Sequence, residues 1–339
     1  MWNSRRDPSC GLGRDFSASI LIFDTMTEPR LFHVGCKSPA GSHRMAYWQW
    51  GAPAAPQVIV CVHGLTRQGR DFDMLAQALV AAAPGALRVV CPDVVGRGHS
   101  PRLPDPMGYA IPQYAADMLA LLADLDRHAP VAWFVWVGTS MGGLIGMAIA
   151  GTPKLPLPAP IRRLVLNDVG PSMSWQAVVR LRDNLGGGGR FDTVQHAADA
   201  MAKVSVGFGP HTPQQWMALS LPMVRPLPEG GFTLHYDPAI AVPLRHLTEA
   251  DIQAGEAQMW QLYDHIRAET LVIRGVESDV LLHDTAQAMT QRGPHPQLIE
   301  FQGIGHAPTL VTPQQLEPVV SFLLLDKALP HEDAGTPGA

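Results

Sequence analysis

Cysteine is scarce in this chain. Only Cys10, Cys36, Cys61 and Cys91 occur, and no two of them form a C-x-x-C pair. Cys61 and Cys91 lie inside apolar runs that read as buried strands, where a free thiol behaves as a small hydrophobe. A disulfide framework is therefore not expected, and a reducing, cytoplasmic setting suits the composition. Charge of one sign is also lacking: the formal net charge is −5, with no long run of like charges. That excludes the clustered basic face a nucleic-acid partner demands. No apolar run approaches the roughly 18 residues of a transmembrane helix, so no membrane partner is expected. The run Ser19–Phe23 behind Arg5 and Arg6 is too short for the apolar stretch of a secretory leader, and Asp24 interrupts it. H-E-x-x-H, zinc-spaced Cys/His pairs and G-x-x-x-x-G-K-[ST] are all missing. Gly11-Leu12-Gly13 follows no strand, so it is no dinucleotide fingerprint. Neither a metal nor an organic cofactor is expected.

What is present is an ordinary globular composition. The chain has 339 residues, 46% of them apolar and 16% charged. About 300 residues suffice to bury roughly three-quarters of the unfolded chain's surface in one large core. Residues 1–27 read as a poorly ordered extension, with Met26 a candidate start, and residues 328–339 as a disordered tail. Between them, strands and helices alternate, which predicts a mostly parallel sheet with helices on both faces. Arg30–Val34 and Met45–Trp50 read as an opening pair of strands. Val58–Val62 is continuously apolar, as suits a strand buried on both faces. Phe72–Ala83 reads as a helix and Arg88–Cys91 as a strand. In Pro112–His128, Ala115, Met118, Leu119, Leu122 and Leu125 recur at helical spacing behind Pro112. Strands follow at Val131–Val137 and Ile161–Leu166.

From 171 to 267 the strand series stops, giving way to the loop Gly186–Gly189, prolines and helical segments carrying Trp175, Trp216 and Trp260. Strands resume at Thr270–Arg274 and Gln297–Phe301, before a last helix from Pro313 to about Leu325. The organisation is therefore a core of residues 28–170 and 268–327 with a helical lid, 171–267, over the strand ends where open α/β sheets bind ligands. The tryptophans and Tyr236 of that insertion read chiefly as lid core, with some lining of the pocket expected.

Gly138-Thr139-Ser140-Met141-Gly142 is a G-x-S-x-G sequence. It follows an apolar strand and opens an apolar helix, the context of a nucleophile elbow. Glycines two before and two after Ser140 leave room for neighbouring backbone at so sharp a turn. A serine hydroxyl is a poor nucleophile until a base takes its proton. Among 14 histidines, only His306, in Gly305-His306-Ala307-Pro308, lies between the last strand and the last helix. Its position satisfies the chain order nucleophile, acid, histidine. His63, N-terminal to Ser140, violates that order and reads as a loop-orienting residue.

Two aspartates compete for the acid. Asp279 follows the strand Thr270–Arg274 and stands one strand before His306, which favours it. Asp168 follows the strand Ile161–Leu166 and is the alternative, with a second reading as a brace at the start of the lid. Glu277 is a weaker third option. His63-Gly64-Leu65-Thr66, after Val58–Val62, offers the backbone N–H of Leu65. With the N–H of Met141 it would form an oxyanion hole. Asp93 and Arg97 in Asp93–Ser100 are expected to brace the surrounding loops.

Together, Gly138–Gly143, His63-Gly64, Asp93–Ser100 and Gly305-His306 resemble the α/β-hydrolase superfamily over roughly residues 30–327. In particular they resemble its capped bacterial members, among them esterases, lactonases and carbon–carbon bond hydrolases. The resemblance implies an eight-stranded sheet with a lid between the sixth and seventh strands, and two-step acyl transfer by Ser140, His306 and Asp279. It thus points to a serine hydrolase cleaving a carboxylic ester, lactone or thioester of a small molecule. Carbon–carbon bond hydrolysis, acyl transfer to another alcohol and ligand binding without turnover are the alternatives, since fold does not determine function.

Overall fold

The structure, a computed structural model, describes residues 28–186 and 189–324. The extension and tail expected at 1–27 and 328–339 lie outside the described residues. The chain opens with a hairpin, β1 (Arg30–Ser38) and β2 (Gly41–Gly51), longer at its turn than the two apolar cores of the strands suggest. There follow β3 (Gln57–Val62), α1 (Asp73–Ala82), β4 (Leu87–Pro92), α2 (Ile111–His128), β5 (Trp133–Thr139), α3 (Met141–Gly151) and β6 (Ile161–Asn167). An insertion then carries α4 (Trp175–Asp183), β7 (Arg190–Phe191), α5 (Val194–Val204), α6 (Pro213–Ser220), β8 (Val224–Pro226), β9 (Phe232–Leu234), α7 (Ala241–His246) and α8 (Glu249–His265). The chain returns to the core with β10 (Glu269–Gly275), α9 (His283–Thr290), β11 (Gln297–Phe301) and α10 (Pro313–Leu324).

The eight core strands form one sheet in the order β1-β2-β4-β3-β5-β6-β10-β11. The pairs β1/β2 and β2/β4 are antiparallel, and every other neighbouring pair is parallel. The expected α/β-hydrolase sheet is therefore present, with the insertion between its sixth and seventh strands in chain order.

The sheet is buried on both faces, and β3 shows why its run is uninterrupted. Val58, Val60 and Val62 face a core shared with Met118, Leu122 and Leu125 of α2 and Ile145 of α3. Ile59 and Cys61 face the opposite core, built with Leu75 and Leu79 of α1 and Val319 and Leu323 of α10. Alternate side chains of a strand point to opposite faces, so a strand covered on both sides can spare no polar residue.

The insertion is not wholly helical. Its three strands, two or three residues each, pair in the order β7-β9-β8 and pack on a small core of Ala197, Met201, Met223 and Val224. Strands so short leave no periodic signal in a sequence, which is why no strand was expected there. Among the described residues no helix is long and apolar enough to cross a membrane.

Candidate active site

Ser140 stands between β5 and α3 with φ 51° and ψ −118°. This is a strained conformation for a non-glycine residue, of the kind that costs about 1–3 kcal/mol and is held by its surroundings. Here the holding groups are visible. The Ser140 amide donates to the Asn167 carbonyl of β6 (2.9 Å), and the Ser140 carbonyl accepts from the Gly143 and Leu144 amides. A Cβ on Gly142 would lie 1.9 Å from the Val62 carbonyl oxygen, and one on Gly138 would lie 2.4 Å from Gly142 backbone. Both glycines of the G-x-S-x-G sequence are therefore required by contact.

His306 lies in the loop after β11, between Gly305 and Ala307. Its Nε2 is 3.0 Å from Ser140 Oγ. Its Nδ1 is 2.6 Å from Oδ2 of Asp168. Asp168 is fully buried at the end of β6, in a left-handed conformation with φ 54°. Its Oδ1 accepts from the Gly275 amide at 2.9 Å, and its Oδ2 also accepts from the Ser278 hydroxyl at 2.6 Å. The carboxylate is thus clamped by the end of the neighbouring strand, β10.

The acid expected from chain order was Asp279, and the structure puts it elsewhere. Its carboxylate pairs with Arg180 of α4, with Nη2 to Oδ1 at 2.7 Å, and the two side chains are 50% and 44% exposed. Glu277, the weaker option, lines the cavity near His306, which makes no hydrogen bond to it. Both β6 and β10 end beside the histidine loop, so either could present a carboxylate. In the loop after β10, however, it is Ser278 that reaches Asp168, while its neighbour Asp279 is half-exposed and turned to Arg180. Ser140…Asp168…His306 still obeys the order rule. A signal was available: Asp168 directly follows the last residue of β6, as Ser140 directly follows β5, whereas Asp279 is four positions past the end of β10.

The His63-Gly64 loop passes over Ser140, since a Cβ on Gly64 would lie 3.6 Å from Ser140 Cβ. His63 is fully buried between two backbone groups. Its Nε2 accepts from the Val94 amide at 3.0 Å, which leaves Nδ1–H to donate to the Gly64 carbonyl at 2.7 Å. Burial pushes its pKa down to about 3, so the ring is neutral and cannot turn toward Ser140 without abandoning both bonds. Leu65 follows in this loop, with its carbonyl held by Arg97 Nε at 2.8 Å. Met141 is the first residue of α3, where an N–H has no intrahelical partner and the helix dipole favours negative charge. Arg97, fully buried, also donates to the Val95 carbonyl and to the Tyr114 hydroxyl. Asp93 accepts from the Gly69 and His99 amides, at 2.8 Å each, and burial raises its pKa to about 6. Both residues therefore sit where loop-bracing was expected of them.

Above Ser140 and His306 opens a cavity of about 1270 Å³, lined largely by apolar side chains of the core and the insertion. Val178, Leu181, Val206, Phe208 and Met259 are among its walls. None of Trp175, Trp216 and Trp260 lines it. Trp260 instead donates to the Ser172 hydroxyl and packs under the Arg292 guanidinium. Sequence reasoning also missed a strap at the insertion's centre. The Gly207 carbonyl accepts from the Gly305 amide at 2.7 Å, tying the insertion to the histidine loop. One mixed cluster was missed as well. Cys36, His43 and Asp117 bring a thiol, an imidazole and a carboxylate within 4.8 Å of one another, and none of them lines the cavity. Burial pushes the Cys36 thiol up to about 12, which keeps it protonated.

Comparison with known proteins agrees with this architecture. The model of the alpha/beta hydrolase family matches residues 59–319. The chain is 49% identical over 294 residues to a 3-hydroxybutyrate-oligomer hydrolase of Cupriavidus necator, covering 85% of this chain and 96% of that one. Among solved structures it resembles an alpha/beta hydrolase from Novosphingobium aromaticivorans, at 33% identity and a TM-score of 0.73, over 88% of this chain and 99% of that chain. An esterase from Mycobacterium tuberculosis shares the fold at 21% identity and a TM-score of 0.62, over 87% of this chain and 91% of that chain. The chain belongs to the alpha/beta hydrolase family, and it is a hydrolase.

Proposed function

We propose that this enzyme hydrolyses carboxylic esters of short 3-hydroxyacid oligomers, such as those of 3-hydroxybutyrate, through an acyl-enzyme intermediate on Ser140. The observation that carries the reading is the unbroken line Ser140 Oγ, His306 and Asp168, at 3.0 and 2.6 Å, with Ser140 and His306 lining the large, mostly apolar cavity and Asp168 buried behind them. The relationship to the Cupriavidus necator enzyme supplies the substrate class. The cavity, about 1270 Å³, exceeds the roughly 300–1,000 Å³ typical of small-molecule pockets, as suits a substrate of linked units.

In this reading His306 Nε2 takes the Ser140 proton as Oγ attacks the ester carbonyl. The negative charge that forms on the carbonyl oxygen is met by the N–H groups of Leu65 and Met141. Asp168 holds the imidazole by Nδ1–H and offsets the positive charge it acquires. The imidazolium then protonates the departing alkoxide, leaving an acyl-Ser140 ester. Water, deprotonated by the same imidazole, repeats the attack and releases the acid and the free serine. The insertion, residues 171–267, acts as a lid whose inner face selects the acyl chain.

The test is incubation with linear 3-hydroxybutyrate dimer and trimer, following acid release by titration and products by chromatography. Turnover by the wild type, lost by a factor of about 10⁴ or more in Ser140→Ala, supports the reading. A Ser140→Ala variant as active as the wild type, or labelling by a fluorophosphonate at another residue, refutes it.

A further inference from the structure

The wall of the cavity is apolar except at a few places, and among the described residues it carries two guanidinium groups, those of Arg67 and Arg180. Arg67 is consumed by the fold. Its Nε and Nη2 bond to Asp71, Nη2 also reaches the Leu219 carbonyl, and the side chain is only 14% exposed. Arg180 differs. It projects from α4 and is 44% exposed, and Asp279 takes its Nε and one Nη2 hydrogen side-on. A guanidinium is a planar fork of five N–H donors with two edges able to grip a carboxylate. Asp279 occupies the Nε/Nη2 edge. The other edge, Nη1 with the second Nη2 hydrogen, has no hydrogen-bond partner among the described residues.

The position of this pair is set by the catalytic frame. Asp279 directly follows Ser278, whose hydroxyl donates to Asp168. The Asp279 carbonyl accepts a long hydrogen bond from Ser174 Oγ, the N-cap of α4, at 3.4 Å. The Arg180 guanidinium is therefore tied to a loop that itself touches the acid of the site.

We infer that Arg180 holds the free carboxylate of an anionic ester substrate through the guanidinium edge that Asp279 leaves open. This rests on the proposed function, because the leaving group of a 3-hydroxyacid ester carries such a carboxylate a few bonds from the scissile oxygen. A carboxylate entering a largely apolar chamber, whose wall also carries the acidic residues Asp251, Glu256 and Glu277, must find a charged donor or lose its hydration uncompensated. Arg180 supplies two charge-assisted N–H donors, and Asp279 keeps the fork from turning. Asp279 is thereby a positioning residue for Arg180, with no part in proton transfer.

The test compares two substrates that differ only in charge, the 3-butyryloxybutyrate anion and its methyl ester, in the wild type, Arg180→Gln and Arg180→Lys. The wild type is expected to favour the anion in kcat/KM. That preference should weaken as salt is raised from 0.01 to 0.5 M, because screening acts on a half-exposed pair. In Arg180→Gln the anion-to-ester ratio should fall about tenfold or more, chiefly through KM for the anion. Arg180→Lys, which keeps the charge and loses the fork, should fall between. A wild type that cleaves the methyl ester as well as the anion at low salt overturns the inference without any variant having to fold. So does an unchanged ratio in Arg180→Gln, or no turnover of the anion at all. If 3-hydroxybutyrate oligomers go uncleaved while the 3-butyryloxybutyrate anion is cleaved with this preference, the oligomer reading falls and the role of Arg180 stands.

Discussion

Ser278 and Asp168, one in the loop after β10 and the other at the end of β6, are joined by a 2.6 Å hydrogen bond from the serine hydroxyl to Oδ2. The same hydroxyl oxygen accepts from the Val280 and Leu281 amides, at 3.2 Å each. A relay therefore runs from two backbone N–H groups, through Ser278 and Asp168, to the imidazole of His306. Removing its middle member should be felt at its end. In Ser278→Ala the carboxylate loses a hydrogen bond to a charged acceptor, worth about 1.5–3 kcal/mol. We expect kcat for ester hydrolysis to fall roughly tenfold or more, with KM little changed, in steady-state assays. An unchanged kcat would show that Gly275 alone suffices to hold Asp168.

The two aspartates that compete on sequence grounds separate sharply in the structure. Asp168→Asn leaves the shape of the side chain and reverses the hydrogen-bonding demand on His306 Nδ1, so kcat should drop by about 10⁴. Asp279→Asn breaks a half-exposed ion pair, of a kind usually worth about 1 kcal/mol or less. On a neutral p-nitrophenyl ester its kcat should stay within about threefold of the wild type. Parallel kinetics on the two purified variants decide the matter, and the reverse order of damage would return the acid role to Asp279.

Gly207 lies so close to the histidine loop that an added Cβ would stand 3.2 Å from the backbone N and O of His306. Gly207→Ala should displace that loop by a few tenths of an ångström without opening the fold. Catalytic geometry is sensitive at this scale, so kcat should fall about three- to tenfold while the thermal midpoint moves little. Kinetics alongside calorimetry would check it, and an unaltered kcat would detach the strap from the chemistry.

His63 and Asp93 bind protons abnormally in opposite senses. His63 titrates near 3 in the folded protein instead of 6.5, so as pH falls below about 6.5 the unfolded chain gains a proton that the folded one refuses, and stability is lost. Asp93 titrates near 6 instead of 3.8. The folded state therefore takes up a proton first, and stability is gained as pH falls from about 6 to 4. Each effect amounts to about 1.4 kcal/mol per pH unit, and between about pH 6 and 4 they cancel. In Asp93→Asn the histidine acts alone. Its unfolding free energy should fall with acidity more steeply than that of the wild type, by up to about 1.4 kcal/mol per pH unit in this window. Urea melts at half-unit steps would reveal it, and equal slopes would mean that Asp93 is ionised throughout.

Much of this site is written in short stretches of chain. The run Val58–Val62 allows no exposed face, so it must lie inside a sheet covered on both sides. The glycines around Ser140 are dictated by backbone contacts that any strand–turn–helix of this shape would make. His306 is marked by its place between the last strand and the last helix. These features answer to local sterics and to the two-residue period of a strand, which act over a few residues and are legible wherever they occur. Which of the two aspartates meets His306 is different in kind. Asp168 and Asp279 are both aspartates beyond strand ends, and apart from how closely each follows its strand, nothing in the neighbouring residues says which one faces the imidazole of a loop that comes later in the chain. That was decided by β6 lying beside β10, by the Gly275 amide and the Ser278 hydroxyl reaching back to Asp168, and by α4 bringing Arg180 to claim Asp279. The small sheet of the insertion and the strap at Gly207 belong to the same class. Their partners are distant in sequence, and only the packed chain brings them within reach of a hydrogen bond.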